Sequence, residues 1–434
     1  MICHFSNAEV REHLSLSKRS VYRIARRLLH LPGKREGYAD IAPWDSNIIH
    51  CVEERDDIEL YVLSAHGGLK RDKVSFDSKG IHYLFFRPEL TNLLRSFIPS
   101  PSQWLRLNPM AKKIRLSVTE IHPDLVLLVG AENAYYSSSV IGIKDYPVYV
   151  LCQNVINNPE YVEADSLDKI NAYVEMEIIK SSQYMAVFSQ KHYELLRKAG
   201  YSQYVFDFNW PVTKQPQYNP VPCEKKDYDF VNFALHMSEE KGFHDCVKAL
   251  SIVKQHYPDV KLCLVDGGPE TARHELNQLI SSLNLKENVS FIPFFADRKD
   301  LFQFLQTVRF AVLPCKIDHI SGTQIQSMQY GLPVVCYKTT GTPSLNTTKE
   351  CVLIADLNNV NQLAEKMLLL LNNPVKAEEL KRNAIENTKE RYARSLGNMQ
   401  RLVDNFKAII DNYNFKTPIP QEQLFDSVGD SYRS

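Results

Sequence analysis

The 434-residue sequence has no long apolar stretch: no run approaches the roughly 18 residues of a membrane-spanning helix, and the mean hydropathy is −0.29. Its first residues, MICHFSNAEVREHL, lack the apolar core of a secretory signal. There is no Cys-x-x-Cys pair. The nine cysteines (Cys3, Cys51, Cys152, Cys223, Cys246, Cys263, Cys315, Cys336 and Cys351) are odd in number and irregular in spacing. That argues against a disulfide framework and against a cysteine zinc site, and for a reduced compartment. Several lie inside apolar runs such as LCLV and VVCY, where a thiol acts as a small hydrophobe. The thirteen histidines form no HxxxH or HExxH pattern, so no metal site is expected. No GxGxxG follows a strand-like run, which disfavours a dinucleotide oxidoreductase. Charge of one sign is also missing. Lys+Arg total 51 and Asp+Glu total 51, so the chain is not a nucleic-acid coat. With 16 Gly and 22 Pro it is neither fibrous nor low in complexity.

What is present is an ordinary globular composition, 44% hydrophobic and 24% charged, long enough for two or three domains. The second half alternates short apolar runs with helical patterns. Strands are expected at Asp229–Leu235, Val260–Val265, Asn288–Ile292, Arg309–Pro314, Pro333–Tyr337 and Cys351–Ile354. Helices are expected at about 242–256, 270–283, 297–307, 322–330, 359–372 and 375–392. Buried β-branched runs between amphipathic helices imply a doubly wound parallel sheet. The first half repeats the style. Strands are expected at Met1–Phe5, Leu60–Leu63, Ile81–Phe86, Leu125–Val129, Val148–Cys152 and Met185–Phe188, with helices at about 19–30, 42–54, 111–121 and 166–181.

The fold class is therefore α/β, with two doubly wound Rossmann-like domains facing across a cleft. The expected division is 1–218, 219–395 and a carboxy-terminal helix and tail, 396–434. The proline-rich segment around Asn209–Asp229 reads as the linker, and the residues after Asn412 as coil. Ligands of such sheets sit at the carboxyl ends of the strands.

Four loops of the second domain meet that condition. Ser321 is suited to cap the helix that begins at Gly322, with Gln324 completing a capping box. The outward N–H groups of Gly322 and Thr323 then suit a diphosphate. An ordinary capped helix has the same pattern. In HMSEEKGF, Lys241 before Gly242 can reach a phosphate as a point charge, although most such lysines are merely solvated. Gly267 and Gly268 in VDGGPE permit close backbone approach or a tight turn. TTGTPS is the fourth loop. Each is weak alone; together they converge on one sheet edge.

The order and spacing of these segments resemble the group 1 (family 4) retaining glycosyltransferases of the GT-B fold. The family pattern runs Gly-Arg…Lys-Gly, then Gly-x-Gly-Pro-Glu, then Pro-Ser-x-x-Glu-Gly-Phe-Gly-x-x-x-x-Glu-Ala-Met-x-x-Gly-x-Pro-Val-Val. EEKGF supplies the Lys-Gly, VDGGPE the second element, and VLPCKIDHISGTQIQSMQYGLPVV the third without gaps. The likeness covers about 227–395. Departures are Leu235 and His236 at the Gly-Arg, Asp318 and Gln326 at the Glu pair, and Ser344 at a third Glu.

The resemblance implies a metal-independent hexosyltransferase that takes a nucleoside diphosphate sugar and no cofactor. It implies Lys241 and Asp318 as catalytic. The donor would be held by His236, Lys241, Gly267, Gly268, Asp318, Ser321, Gly322, Thr323 and Gln326, with Asp318 on the sugar and Gln326 on the ribose. The acceptor would be a glycan or lipid-linked glycan of a bacterial capsule, lipopolysaccharide or exopolysaccharide. Ser6, Asn7 and Glu132 are the acceptor-side candidates. His66 and His122 are more simply structural, and Asp227-Tyr228-Asp229 is a chance DxD. A GT-B-fold epimerase and a degenerate, non-catalytic binding subunit are the alternatives. The expected location is cytoplasmic. Segment 11–35, with Arg11, Lys18, Arg19, Arg23, Arg26, Arg27, Lys34 and Arg35 against Glu12, suits either peripheral contact with anionic membrane or a core-packed helix whose arginines are solvated or hold an acceptor phosphate.

Overall fold

The computed structural model describes residues 1–14, 42–53, 55–88, 98, 100–158, 168–209, 225–234, 237–267, 270–295, 298–317, 320–339 and 341–425. They form two compact units. One holds the described residues between 1 and 209 together with those from 394 onward; the other holds those between 225 and 393.

The first unit is built on β1 (Ile2–Cys3), β2 (Leu60–Ala65), β3 (Lys73–Ser78), β4 (Ile81–Phe86), β5 (Val126–Val129), β6 (Val148–Leu151), β7 (Tyr184–Val187) and β8 (Tyr204–Asp207). They form one sheet in the order β3-β4-β2-β1-β5-β6-β7-β8. All neighbours are parallel except the β3–β4 hairpin. Alternate residues feed two cores, as a period of two requires. Leu63, Leu128, Val150 and Met185 pack on one face, and Val62, Leu127, Tyr149 and Tyr184 on the other. The chain leaves β1 towards β2 and later returns on the far side of β1 as β5. The switch point of the topology therefore lies between β1 and β5.

The second unit has β9 (Tyr228–Phe233), β10 (Leu262–Asp266), β11 (Val289–Pro293), β12 (Val308–Val312), β13 (Val334–Tyr337) and β14 (Val352–Ala355). Their order is β11-β10-β9-β12-β13-β14, all parallel. Here the switch point lies between β9 and β12. Phe230, Leu262, Leu264 and Val335 line one core, and Val231, Cys263, Val265 and Val334 the other. All six strands expected in this half are present, each within two or three residues of its expected ends.

Differences from expectation have local causes. β3 is not among the expected strands; its edge position leaves it alternately exposed and partly covered. The β3–β4 turn puts Lys79 and Gly80 at φ 50° and 75°, which a two-residue I′ hairpin turn requires. β8 and the helices Ala8–His13, Pro101–Leu107, Ala134–Ser137 and Gln190–Lys198 were also missed. The helix expected to end near 392 runs from Pro374 to Phe415. Its later turns bury Leu402, Val403 and Ile409, and Asn405 donates to the Tyr149 hydroxyl at 3.1 Å. Leu424 then forms a bridge with Phe206, so the segment after 412 is tied to the first unit's sheet. The proposed linker and the basic 11–35 segment lie largely outside the described residues. No described helix is long and apolar enough to cross a membrane.

Candidate functional site

In the second unit, the loops after β9 and β12 leave the sheet on either side of its switch point, and they are stitched together. The Lys316 N–H donates to the Glu240 carbonyl at 2.8 Å. Gly242, at φ 75°, lies hard against Pro314. Lys241 caps this junction. Its N–H donates to Ser238 Oγ at 3.3 Å, and its Nζ stands 3.8 Å from Cys315 Sγ.

The capping box expected at the start of the helix Gly322–Gln329 is present. Ser321 N–H donates to Gln324 Oε1 at 3.0 Å, and the Ser321 and Thr323 hydroxyls are 2.8 Å apart. Gln324 is buried, and its Nε2 donates to the Leu313 carbonyl at 3.2 Å. That bond fastens the helix start to the end of β12. Gly322 is exposed while Thr323 and Gln326 are half-buried. The positive end of the helix thus reaches the surface on the same sheet edge as Lys241. Gly267 follows β10 on that edge, and the 3-10 turn Thr342–Asn346 follows β13. Thr342 Oγ1 donates to Tyr337 O at 3.0 Å and accepts from Thr339 N–H at 2.9 Å. Ser344 is held by Arg391, whose guanidinium donates to its carbonyl at 2.9 Å. His236, Gly268 and Asp318 lie outside the described residues.

Behind this edge is a network that sequence reasoning missed. Asp245 is buried and takes Lys316 Nζ at 3.1 Å and the Tyr337 hydroxyl at 3.0 Å. Burial first, and then the Asp245 carboxylate, raises the Tyr337 phenol far above its ordinary range. The network joins β13, the loop after β12 and the helix Phe243–Val253. No local spacing could announce a contact so distant in sequence.

In the first unit, Asn7 caps the helix Ala8–His13, its Oδ1 accepting from Val10 N–H at 2.8 Å. That is a structural duty. Ser6 is buried after β1, and its hydroxyl meets no partner among the described residues. Glu132 follows β5 and Gln153 follows β6. With the Gln153 amide oriented by its neighbours, its nitrogen donates to Glu132 Oε1 at 2.7 Å and its oxygen accepts from the Trp44 indole. Asp45, next to Trp44, is 1% exposed. Burial, chiefly, pushes Glu132 up to about 8. Burial and then the Glu132 charge raise Asp45 well above the carboxylate range. The sequence reading found Glu132 but not Asp45, Gln153 or Trp44.

His66, His122 and the DxD acid Asp229 each have local partners. His66 Nδ1 accepts from Gly68 N–H at 3.1 Å. His122 ends the helix Pro109–Ile121 at φ 52°, 3.1 Å from the Tyr146 hydroxyl. Asp229 pairs with Arg309 at 2.9 Å and accepts from Lys261 N–H. Among the described residues no group of three or more His, Cys, Asp or Glu is placed to hold a metal ion.

Comparisons with known proteins bear on the fold and on the second unit. Residues 215–391 match the family model "Glycosyl transferases group 1". Among curated relatives, an uncharacterized glycosyltransferase of Haemophilus influenzae is 28% identical over 140 residues, 32% of this chain and 38% of the relative. The uncharacterized glycosyltransferase YqgM of Bacillus subtilis is 30% identical over 142 residues, 33% of this chain and 39% of the relative. The chain thus spans about two fifths of the length of these relatives. Solved structures align over far more. Sucrose-phosphate synthase from Thermosynechococcus elongatus gives a TM-score of 0.64 at 16% identity, covering 81% of this chain and 89% of that one. Anabaena HepE in complex with UDP-glucose gives 0.62 at 16%, covering 86% and 98%. The trehalose-6-phosphate synthase OtsA gives 0.66 at 10%, covering 85% and 95%. The chain has the GT-B glycosyltransferase fold, with its second unit matching the group 1 glycosyltransferase family.

Proposed function

We propose that the protein is a retaining glycosyltransferase that moves a sugar from a nucleoside diphosphate sugar to a glycan or lipid-linked acceptor in surface polysaccharide synthesis. One observation carries the reading. Lys241 and the start of the helix Gly322–Gln329 flank the β9/β12 switch point of the unit that matches the group 1 family.

In the reaction, the bond between the anomeric carbon and the diphosphate oxygen breaks. A bond to the acceptor oxygen forms on the same face, and the acceptor's proton passes to the leaving diphosphate. The transition state has oxocarbenium character, with negative charge growing on the diphosphate. Lys241 and the N–H groups of Gly322 and Thr323 would hold that charge, with His236 beside them, so that no metal or cofactor is needed. Gly267 and Gly268 would let the backbone approach the donor, and Ser321 would orient the helix start. Asp318 would bind the donor-sugar hydroxyls and Gln326 the ribose. An amide supplies both a donor and an acceptor for that second task. Peripheral contact with anionic membrane through 11–35 would bring the enzyme to a lipid-linked acceptor.

The test is turnover against a panel of nucleotide sugars, with and without chelator. Asp318→Asn should cut turnover while sparing free nucleotide affinity, and Gln326→Ala should weaken the free nucleotide. Binding of a nucleotide sugar without transfer to any acceptor would favour a non-catalytic subunit.

A further inference from the structure

The first unit has its own switch point, between β1 and β5, and an unusual set of side chains gathers there. Gly130, directly after β5, has φ 82°. A Cβ at 130 would stand 2.8 Å from Glu132 Oε1 and 2.9 Å from the Tyr136 hydroxyl. The glycine therefore lets Glu132 fold back over the end of its own strand. Glu132 Oε1 takes the Gln153 amide, but Glu132 Oε2 is buried without a partner among the described residues. Asp45 Oδ1 is in the same condition, on a residue 1% exposed. Tyr136 donates to Val129 O at 2.8 Å and is already satisfied. Against this buried pair, Trp44 is 41% exposed, with its indole N–H engaged by Gln153.

The buried carboxylate of Glu175 shows what a purely structural acid looks like here. It accepts from Ile156 N–H, Asn157 N–H and the Asn157 side chain at 3.0, 2.9 and 2.6 Å. Glu132 has the backbone N–H groups of Ala131 and Glu132 beside its carboxylate, yet its Oε2, like Asp45 Oδ1, is left without a hydrogen bond among the described residues. Leaving a buried polar atom unpaired costs about 1–3 kcal/mol, and such atoms persist where a ligand completes them.

We propose that Trp44, Asp45, Glu132 and Gln153 form a saccharide-binding subsite in the first unit. The Trp44 face stacks on the apolar side of a pyranose ring, and Asp45 Oδ1 and Glu132 Oε2 bind its adjacent hydroxyls. Each hydroxyl both donates and accepts. It can therefore satisfy a carboxylate or a carboxylic acid, and burial keeps both groups disposed to hold a proton. A neutral polyol fits such a pair better than a cation would. The proposal deepens the glycosyltransferase reading, in which the bound ring would be the acceptor sugar. The binding itself does not depend on that reading.

The experiment is saturation-transfer NMR on the full chain with a panel of methyl glycosides (gluco, galacto, manno and N-acetylglucosamine forms), alongside calorimetry with UDP on the same samples. At least one glycoside should receive saturation at its ring protons. Trp44→Phe should keep that transfer, while Trp44→Ala should weaken affinity about tenfold or more. Glu132→Gln should weaken it less, and UDP affinity should be unchanged in all three variants. Equal glycoside binding by wild type and Trp44→Ala, or no glycoside binding at all, would each overturn the subsite. Failure of wild type to bind any nucleoside diphosphate would instead overturn the glycosyltransferase reading and leave a Trp44-dependent glycoside signal standing.

Discussion

Gly242 and Pro314 are in such close contact that a Cβ on residue 242 would stand 2.6 Å from the proline Cγ and nearer still to its carbonyl oxygen. The contact sets the distance between the loop that carries Lys241 and the loop that leads to Ser321. It also explains why a glycine follows Lys241: φ is 75°, a conformation that costs a residue with a side chain about 1–2 kcal/mol before any clash.

Gly242→Ala should therefore lower stability by about 2–4 kcal/mol, adding backbone strain to overpacking. Chemical denaturation should show the loss as a lower midpoint. Nucleotide affinity should fall with it, because Lys241 is displaced. A variant as stable as wild type would mean that the two loops are not locked together.

Lys316→Met tests the network behind the site. Lys316 Nζ and Asp245 Oδ2 are 3.1 Å apart, with side chains 18% and 4% exposed. Removing one partner of a buried pair costs about 3–5 kcal/mol. The lower half of that range is expected here, because Tyr337 still donates to Asp245. Adding Asp245→Asn should recover part of the loss. Equal stability of the single and double variants would contradict the pairing.

Glu132 should leave a signature in the pH dependence of stability. Its carboxyl rises from the ordinary 4.5 to about 8 in the fold. Below about pH 4.5 the stabilising contribution is fully present, and it is lost as pH climbs through 8, because the folded state binds the extra proton. Among the described residues, Asp45, Glu175, Cys152 and Tyr136 interact with it electrostatically. Glu132→Gln cannot ionise. Its melting temperature should fall less between pH 5 and 8, and at pH 8 it should exceed wild type in stability by up to about 4 kcal/mol. Parallel profiles would show that Glu132 is charged throughout.

The sequence and the structure agree best where a strand is buried on both faces. Runs such as Val334–Tyr337 and Val352–Ala355 have no polar alternation to confuse them, so strands of this kind could be read directly. The Ser321–Gln324 capping box was equally visible, since its partners are three residues apart. What escaped was either polar or distant. β3 exposes every second residue at a sheet edge. The helix expected at 375–392 and the one expected within 396–434 are a single helix, Pro374–Phe415, with Gly397 exposed inside it. Its later turns are held by Leu402 and Ile409 packing on a core assembled from the first half of the chain. Lys316 with Asp245, and Trp44 with Gln153, meet only after the sheets form. Glu132 was found because it follows a strand, whereas Asp45 reads as an ordinary acid in the first turn of a helix.

The central claim is that the β9/β12 edge binds a nucleoside diphosphate through Lys241, and calorimetry with UDP in the presence of chelator tests it most directly. A charge-assisted contact contributes about 1.5–3 kcal/mol. Wild type should therefore bind, and Lys241→Ala should bind about tenfold more weakly or worse. An unchanged dissociation constant in Lys241→Ala would contradict the account.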